Sequence, residues 1–107
     1  KDQNNIEPGI KRTRGATTRE HYRLPILEIL VENGGKATQS EVLAKIGERM
    51  RENFNDLDNQ ILNDGYTKRW QYNVAWERHG MAKSGLLKSA GHGMWEITEK
   101  GRQEKNN

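Results

Sequence analysis

The sequence predicts a mainly helical α+β domain in which three main helices precede a C-terminal two-stranded β-hairpin. Three observations carry this reading. Apolar residues recur at helical spacing in three separate stretches. Two short strand-like runs flank Ala90-Gly91-His92-Gly93, a hairpin turn signal. Finally, 31 of the 77 positions from Tyr22 through Thr98 are apolar, enough for a core even though the mean hydropathy of the whole chain is −1.10.

Taken in order, residues 1–19 form a polar lead broken by Pro8, Gly9 and Gly15, which reads as a flexible basic arm or linker. The domain is expected at 20–103, with a tail at 104–107. From Tyr22 to Asn33 the residues Tyr22, Ile26, Ile29 and Leu30 share one helical face, Pro25 suits the first turn, and Gly34-Gly35 supplies the stop. Thr38-Gln39-Ser40-Glu41 is a capping-box pattern. The helix it opens has the stripe Val42, Leu43, Ile46, Met50 and Phe54, with Glu41/Lys45 and Glu48/Arg51 pairing outside. Asn55 to Asn63 suggests a short helix or turn anchored by Leu57, Ile61 and Leu62. A third helix is expected over Lys68–Ser84, closed by Gly85. On it Trp70, Val74 and Met81 face the core, while Lys68, Arg69, Tyr72, Trp76, His79 and Lys83 fill an arc of roughly 100° on the other side. Strands follow at Leu86–Ser89 and Met94–Thr98, and Thr98 with Gly101 brackets a last turn.

Length and composition exclude several functions. At 107 residues the chain is one domain that buries only ~60% of its unfolded surface, which leaves little room for a large enclosed pocket. It has no cysteine, so disulfides, thiolate chemistry and cysteine-ligated zinc are absent together. No stretch approaches the ~18 apolar residues that a membrane span needs. The expected setting is cytoplasmic and nucleoid-associated. None of the nine lysines has Asp or Glu two positions earlier, so the spacing that brings metal and base to one phosphate in restriction nucleases is missing. His21, His79 and His92 stand far apart, and Gly91-His92-Gly93 lacks the lysine and helix of a phosphate loop. No catalytic residue, metal or cofactor is expected in this segment.

The net charge of +3 conceals a division. Residues 24–64 sum to −4 and residues 65–95 to +4. The basic segment is the third helix plus the hairpin, and a one-signed face suits a polyanion. Three helices followed by a hairpin, with a tight turn ahead of the third helix, is the order of a winged helix-turn-helix, whose third helix enters the DNA major groove while the hairpin touches flanking backbone.

On that reading the candidate contacts to double-stranded DNA are Lys68 and Arg69 at the start of the third helix, with Gln71 and Tyr72 beside them. Arg69 has the donors to grip guanine through two hydrogen bonds. For Trp76 two placements stay open, contact with DNA and packing beneath the hairpin. Lys88 and His92 are the hairpin's candidate phosphate contacts, and Lys11, Arg12 and Arg14 have the character of an arm that enters a minor groove. The competing class is a protein-interaction or homodimerisation module built on Tyr72, Trp76 and the acidic helices.

The run Pro25-Ile26-Leu27 with Gly34-Gly35, then Glu41-Val42, Arg69-Trp70, Trp76, Met81, Gly85-Leu86-Leu87 and Gly93-Met94-Trp95-Glu96-Ile97-Thr98 with Gly101 resembles the winged-helix domain at the N-terminus of Mrr-type restriction proteins. The resemblance covers roughly residues 20 to 103. It implies a prokaryotic DNA-reading module joined to a nuclease or other effector domain, in the same or a partner chain, within restriction and defence systems that act on foreign or modified DNA.

Overall fold

A computed structural model describes residues 15–107. A 3-10 turn at Arg19–Tyr22 leads into α1 (Arg23–Glu32), followed by β1 (Lys36–Thr38), α2 (Gln39–Met50) and a second 3-10 turn at Arg51–Asn53. After a loop come α3 (Arg69–Lys83), β2 (Leu87–Ser89), β3 (Met94–Ile97) and α4 (Glu99–Lys105).

The helix boundaries follow from local chemistry. Pro25 lies in the first turn of α1, where its missing N–H leaves no gap. The Thr38 hydroxyl accepts from the Glu41 N–H at 3.1 Å and the Glu41 carboxylate accepts from the Thr38 N–H at 2.9 Å, the reciprocal bonds of a capping box. The Thr38 N–H, and after it the Thr38 hydroxyl donating to the same oxygen at 3.2 Å, hold the Glu41 carboxyl below the usual carboxylate range. Beyond α3, Gly85 has φ 85°, a left-handed conformation that L side chains resist, and it ends the helix there.

The hairpin is part of a larger sheet than the sequence predicts. β3 lies between β1 and β2, antiparallel to both, with Ala37 opposite Trp95 and Leu87 opposite Ile97. Lys36-Ala37-Thr38 is too short to display alternation, and it hides between the Gly34-Gly35 stop and the Thr38 cap. The Gln39 N–H then donates to Gly93 O at 2.9 Å, tying the start of α2 to the hairpin turn.

The core is built on α1, whose Ile26, Leu27, Ile29 and Leu30 are all buried. α2, α3, α4 and the sheet each pack against this helix, which is why burial exceeds the single stripe expected from periodicity. Val42 and Ile46 from α2, Trp70, Val74 and Met81 from α3, and Leu87, Trp95 and Ile97 from the sheet complete it. Phe54 leaves the α2 stripe and stacks on Trp70, with ring centroids 5.0 Å apart.

Several other expectations are revised. Glu41/Lys45 and Glu48/Arg51 do not pair along α2. Arg49 instead bridges Glu28 at 3.3 Å and Glu32 at 2.8 Å on α1, and Lys45 donates to Asn33 Oδ1 at 2.8 Å. Lys45 is thereby drawn from its i,i+4 neighbour Glu41 to a partner at the end of α1, because the two helices lie side by side. In the 54–68 loop, Leu57 and Ile61 are 43% and 48% exposed, and the buried anchor is Asp58. The described part of the lead, from Gly15 to Thr18, is hydrogen-bonded to that loop. At the other end α4 runs to Lys105, so the expected tail contains helix.

Candidate nucleic-acid interface

Loop carbonyls satisfy the first free amides of α3. The Arg69 N–H donates to Gln60 O and the Trp70 N–H to Asp58 O, both at 3.0 Å, and the Lys68 N–H donates to Gln71 Oε1 at 2.9 Å. The helix start is therefore fixed by the loop before it. Trp70, Val74, Glu77 and Met81 point inward. Glu77 is a buried carboxylate, matched by Arg23 Nε at 2.7 Å, without which its desolvation would be costly. That pair joins the first residue of α1 to the middle of α3.

The opposite side of α3 is uncovered and aromatic. Tyr72 is 47% exposed and Trp76 43%. Tyr72 meets Trp76 edge-on with centroids 6.1 Å apart, and Trp76 meets His79 likewise at 5.7 Å. Trp76 thus stands in an exposed aromatic ladder, not beneath the hairpin. Lys68 and Lys83 are exposed at the two ends of this face.

The other expected contacts divide. Gln71 is occupied with its capping bond, and Arg69 is half-buried with its guanidinium donating to Gln60 Oε1 at 2.8 Å. Lys88 stands opposite Glu96 in the sheet register, and Lys36 stands opposite Glu96 from the other strand. His92 is exposed at the hairpin turn. Lys11, Arg12 and Arg14 lie outside the described residues.

Two further α3 residues are missing from the expected contacts, one on this face and one on the side that meets the hairpin. His79 extends the aromatic ladder. Arg78 lies with its guanidinium carbon 5.4 Å from the Trp95 ring centroid and joins His92 and Lys88 in lining a cleft between α3 and the hairpin. Helical geometry places Arg78 roughly 80° round from Trp70, at the edge of the core arc. Periodicity supplies that angle but not which edge of α3 the hairpin covers. Among the described residues no group of three or more His, Asp and Glu is arranged to hold a metal ion.

The model of the Mrr N-terminal domain family matches residues 20–107. The chain belongs to this family. In this Mrr N-terminal domain the sheet, the α3 helix and the hairpin turn are arranged as a winged helix, and the fold is similar to that of "F93 from STIV, a winged-helix DNA-binding protein", with a TM-score of 0.50, 22% identity, and 84% of each chain covered. Among curated proteins none matches the Mrr N-terminal domain described here.

Proposed function

We propose that this domain binds double-stranded DNA without cutting it and targets a larger prokaryotic restriction or defence protein to its substrate. The observation that carries the reading is the uncovered face of α3, where Tyr72, Trp76 and His79 stand between exposed Lys68 and Lys83. A helix of this width fits a major groove, and the adjacent hairpin turn falls over flanking backbone. The membership in the Mrr N-terminal family supports the restriction context.

Binding to duplexes, with and without modified bases, measured across a salt titration tests the proposal. Log affinity is expected to fall linearly with log salt as phosphate counterions are released. Failure to bind any duplex, or affinity indifferent to ionic strength, would overturn it. A second reading is favoured by the same exposed aromatics, together with Ile61 at 48% exposure, which suit a protein partner or a second copy. A stable dimer in light scattering, combined with no affinity for DNA, selects that reading.

A further inference from the structure

We infer that the cleft between α3 and the hairpin seats a single backbone phosphate, with Arg78 as the group that binds it and Trp95 as the residue that positions Arg78. The inference rests on the duplex-binding reading above and assigns one contact within it.

The cleft has a volume of about 370 Å³ and is bordered by Arg78 and Ala82 of α3, Gln39 of α2, and Lys88, His92 and Trp95 of the hairpin. No carboxylate lines it. By contrast, the concavity between α1 and α2 mixes Glu32 and Glu48 with Lys45, Arg49 and Arg51, so its charges are already answered.

Arg78 differs from the other arginines that hold fixed contacts. Arg23 and Arg49 are paired with carboxylates, and Arg69 donates to Gln60. Among the described residues Arg78 has no ion pair; its Nε, like that of Arg69, is buried without a hydrogen-bond partner, but no other atom of its guanidinium is held as Arg69's is by Gln60. That Nε is closed off, so a ligand in the cleft meets the two terminal nitrogens of the guanidinium, the ends that carry the paired donors of the fork. Its guanidinium carbon lies 5.4 Å from the Trp95 ring centroid, within the range of a cation–π contact, which keeps the group at the wall of the cleft. A planar fork held in this way matches two phosphate oxygens, and apolar walls of Ala82, Leu87 and Trp95 weaken the competition from water.

The groove geometry supplies the occupant. A major groove about 12 Å wide and a minor groove about 6 Å wide are separated by one sugar-phosphate strand. A helix in the first and a hairpin turn over the second straddle that strand, so the cleft between them meets a phosphodiester and not a base edge.

The test uses the full chain and mixed-sequence duplexes, with thermal unfolding run beside each variant. Arg78→Gln is expected to lower the slope of log affinity against log salt by about 0.9, the value for one phosphate, and to weaken binding equally across sequences. Arg78→Lys is expected to keep the slope and lose affinity several-fold, because an ammonium lacks the planar fork that grips two phosphate oxygens at once. Trp95→Phe is expected to weaken binding while Arg78 is present and to add nothing to R78Q, a coupling that a purely structural role would not produce. If R78Q fails to fold, Arg78→Met keeps the stem against Trp95 and gives the same readout. An R78Q or R78M slope equal to wild type overturns the phosphate seat, and so does a loss confined to particular sequences. Wild-type protein that binds no duplex removes the functional reading itself, so the two failures are distinguishable.

Discussion

Thr17 is bonded twice to the fully buried Asp58, its backbone N–H donating to Oδ1 at 2.7 Å and its hydroxyl to Oδ2 at 3.0 Å. The Asn55 N–H donates to the same carboxylate at 3.0 Å, and the Asp58 carbonyl receives the Trp70 N–H of α3. The end of the lead, the loop and the start of α3 are thereby joined at one residue, the first two through its carboxylate and α3 through its backbone carbonyl. Hydrogen bonds to a charged group contribute roughly 1.5–3 kcal/mol each in favourable settings. Asp58→Ala is expected to cost about 3 kcal/mol in urea unfolding, with Thr17→Val costing roughly a third of that. Deleting residues 1–17 is expected to match the Asp58 loss. Unchanged stability in the truncated chain would show that the anchor contributes nothing.

Tyr22 is fully buried, and its hydroxyl has no hydrogen-bond partner. Burial, and then the Asp58 charge beside it, push its phenol well above the ordinary tyrosine value. Tyr22→Phe removes an unmet polar atom and is expected to be neutral or stabilising by up to about 1 kcal/mol at pH 7. The sign of the pH effect follows from the raised value. The stability tied to a protonated Tyr22 is present below pH 10 and is lost as pH rises further, at about 1.4 kcal/mol per unit, because the unfolded chain releases its proton first. Urea unfolding at pH 9 and above should show the wild type losing this increment relative to the phenylalanine variant. Parallel curves would refute it.

Gly101 is buried in the first turn of α4, against the hairpin. A Cβ there would collide with the Leu86 carbonyl oxygen and lie 2.7 Å from Ile97 Cγ1. Gly101→Ala is expected to destabilise by roughly 1–3 kcal/mol, even though alanine is the better helix former. A melting temperature raised by this substitution would mean that α4 sits further from the sheet.

Trp70 and Trp76, six residues apart on one helix, should separate stability from binding. Trp70 is 6% exposed, stacks on Phe54, and would lie 3.3 Å from a Cβ placed at Gly47. Trp70→Ala is expected to cost about 3–5 kcal/mol. Trp76→Ala should stay within about 0.5 kcal/mol in unfolding while weakening duplex binding. If Trp76→Ala binds duplex as well as the wild type, the aromatic ladder is not the reading surface.

Most of the fold was legible in the residues. Thr38 and Glu41 announced α2, Gly85 ended α3, and Trp70 and Trp95 entered the core as their spacing required. β1 was not legible, since three residues cannot display a period and strand identity there comes from pairing with β3. Leu57 and Ile61 misled because apolar character was taken for burial, whereas Asp58 turned inward once Thr17 and Asn55 supplied its donors. On the side of α3 away from the core, spacing placed Tyr72 and Trp76 on the open face. It also favoured Arg69, whose guanidinium is held by Gln60, a residue of the loop before the helix.

By itself the sequence determined the helix order, the capping chemistry, the family membership and the concentration of positive charge in the third helix and hairpin. Helix order, caps and charge depend on neighbours within about a turn or on summed composition, and family membership on the identity of residues spread along the chain, so none of them needs the packing. Only the tertiary structure decided which edge of α3 the hairpin covers, and so which arginine lines the cleft beside it. Arg69 and Arg78 are the same residue type on the same helix. Gln60 holds one and Trp95 lies against the other, because packing brings together groups that lie 9 and 17 positions apart in the chain.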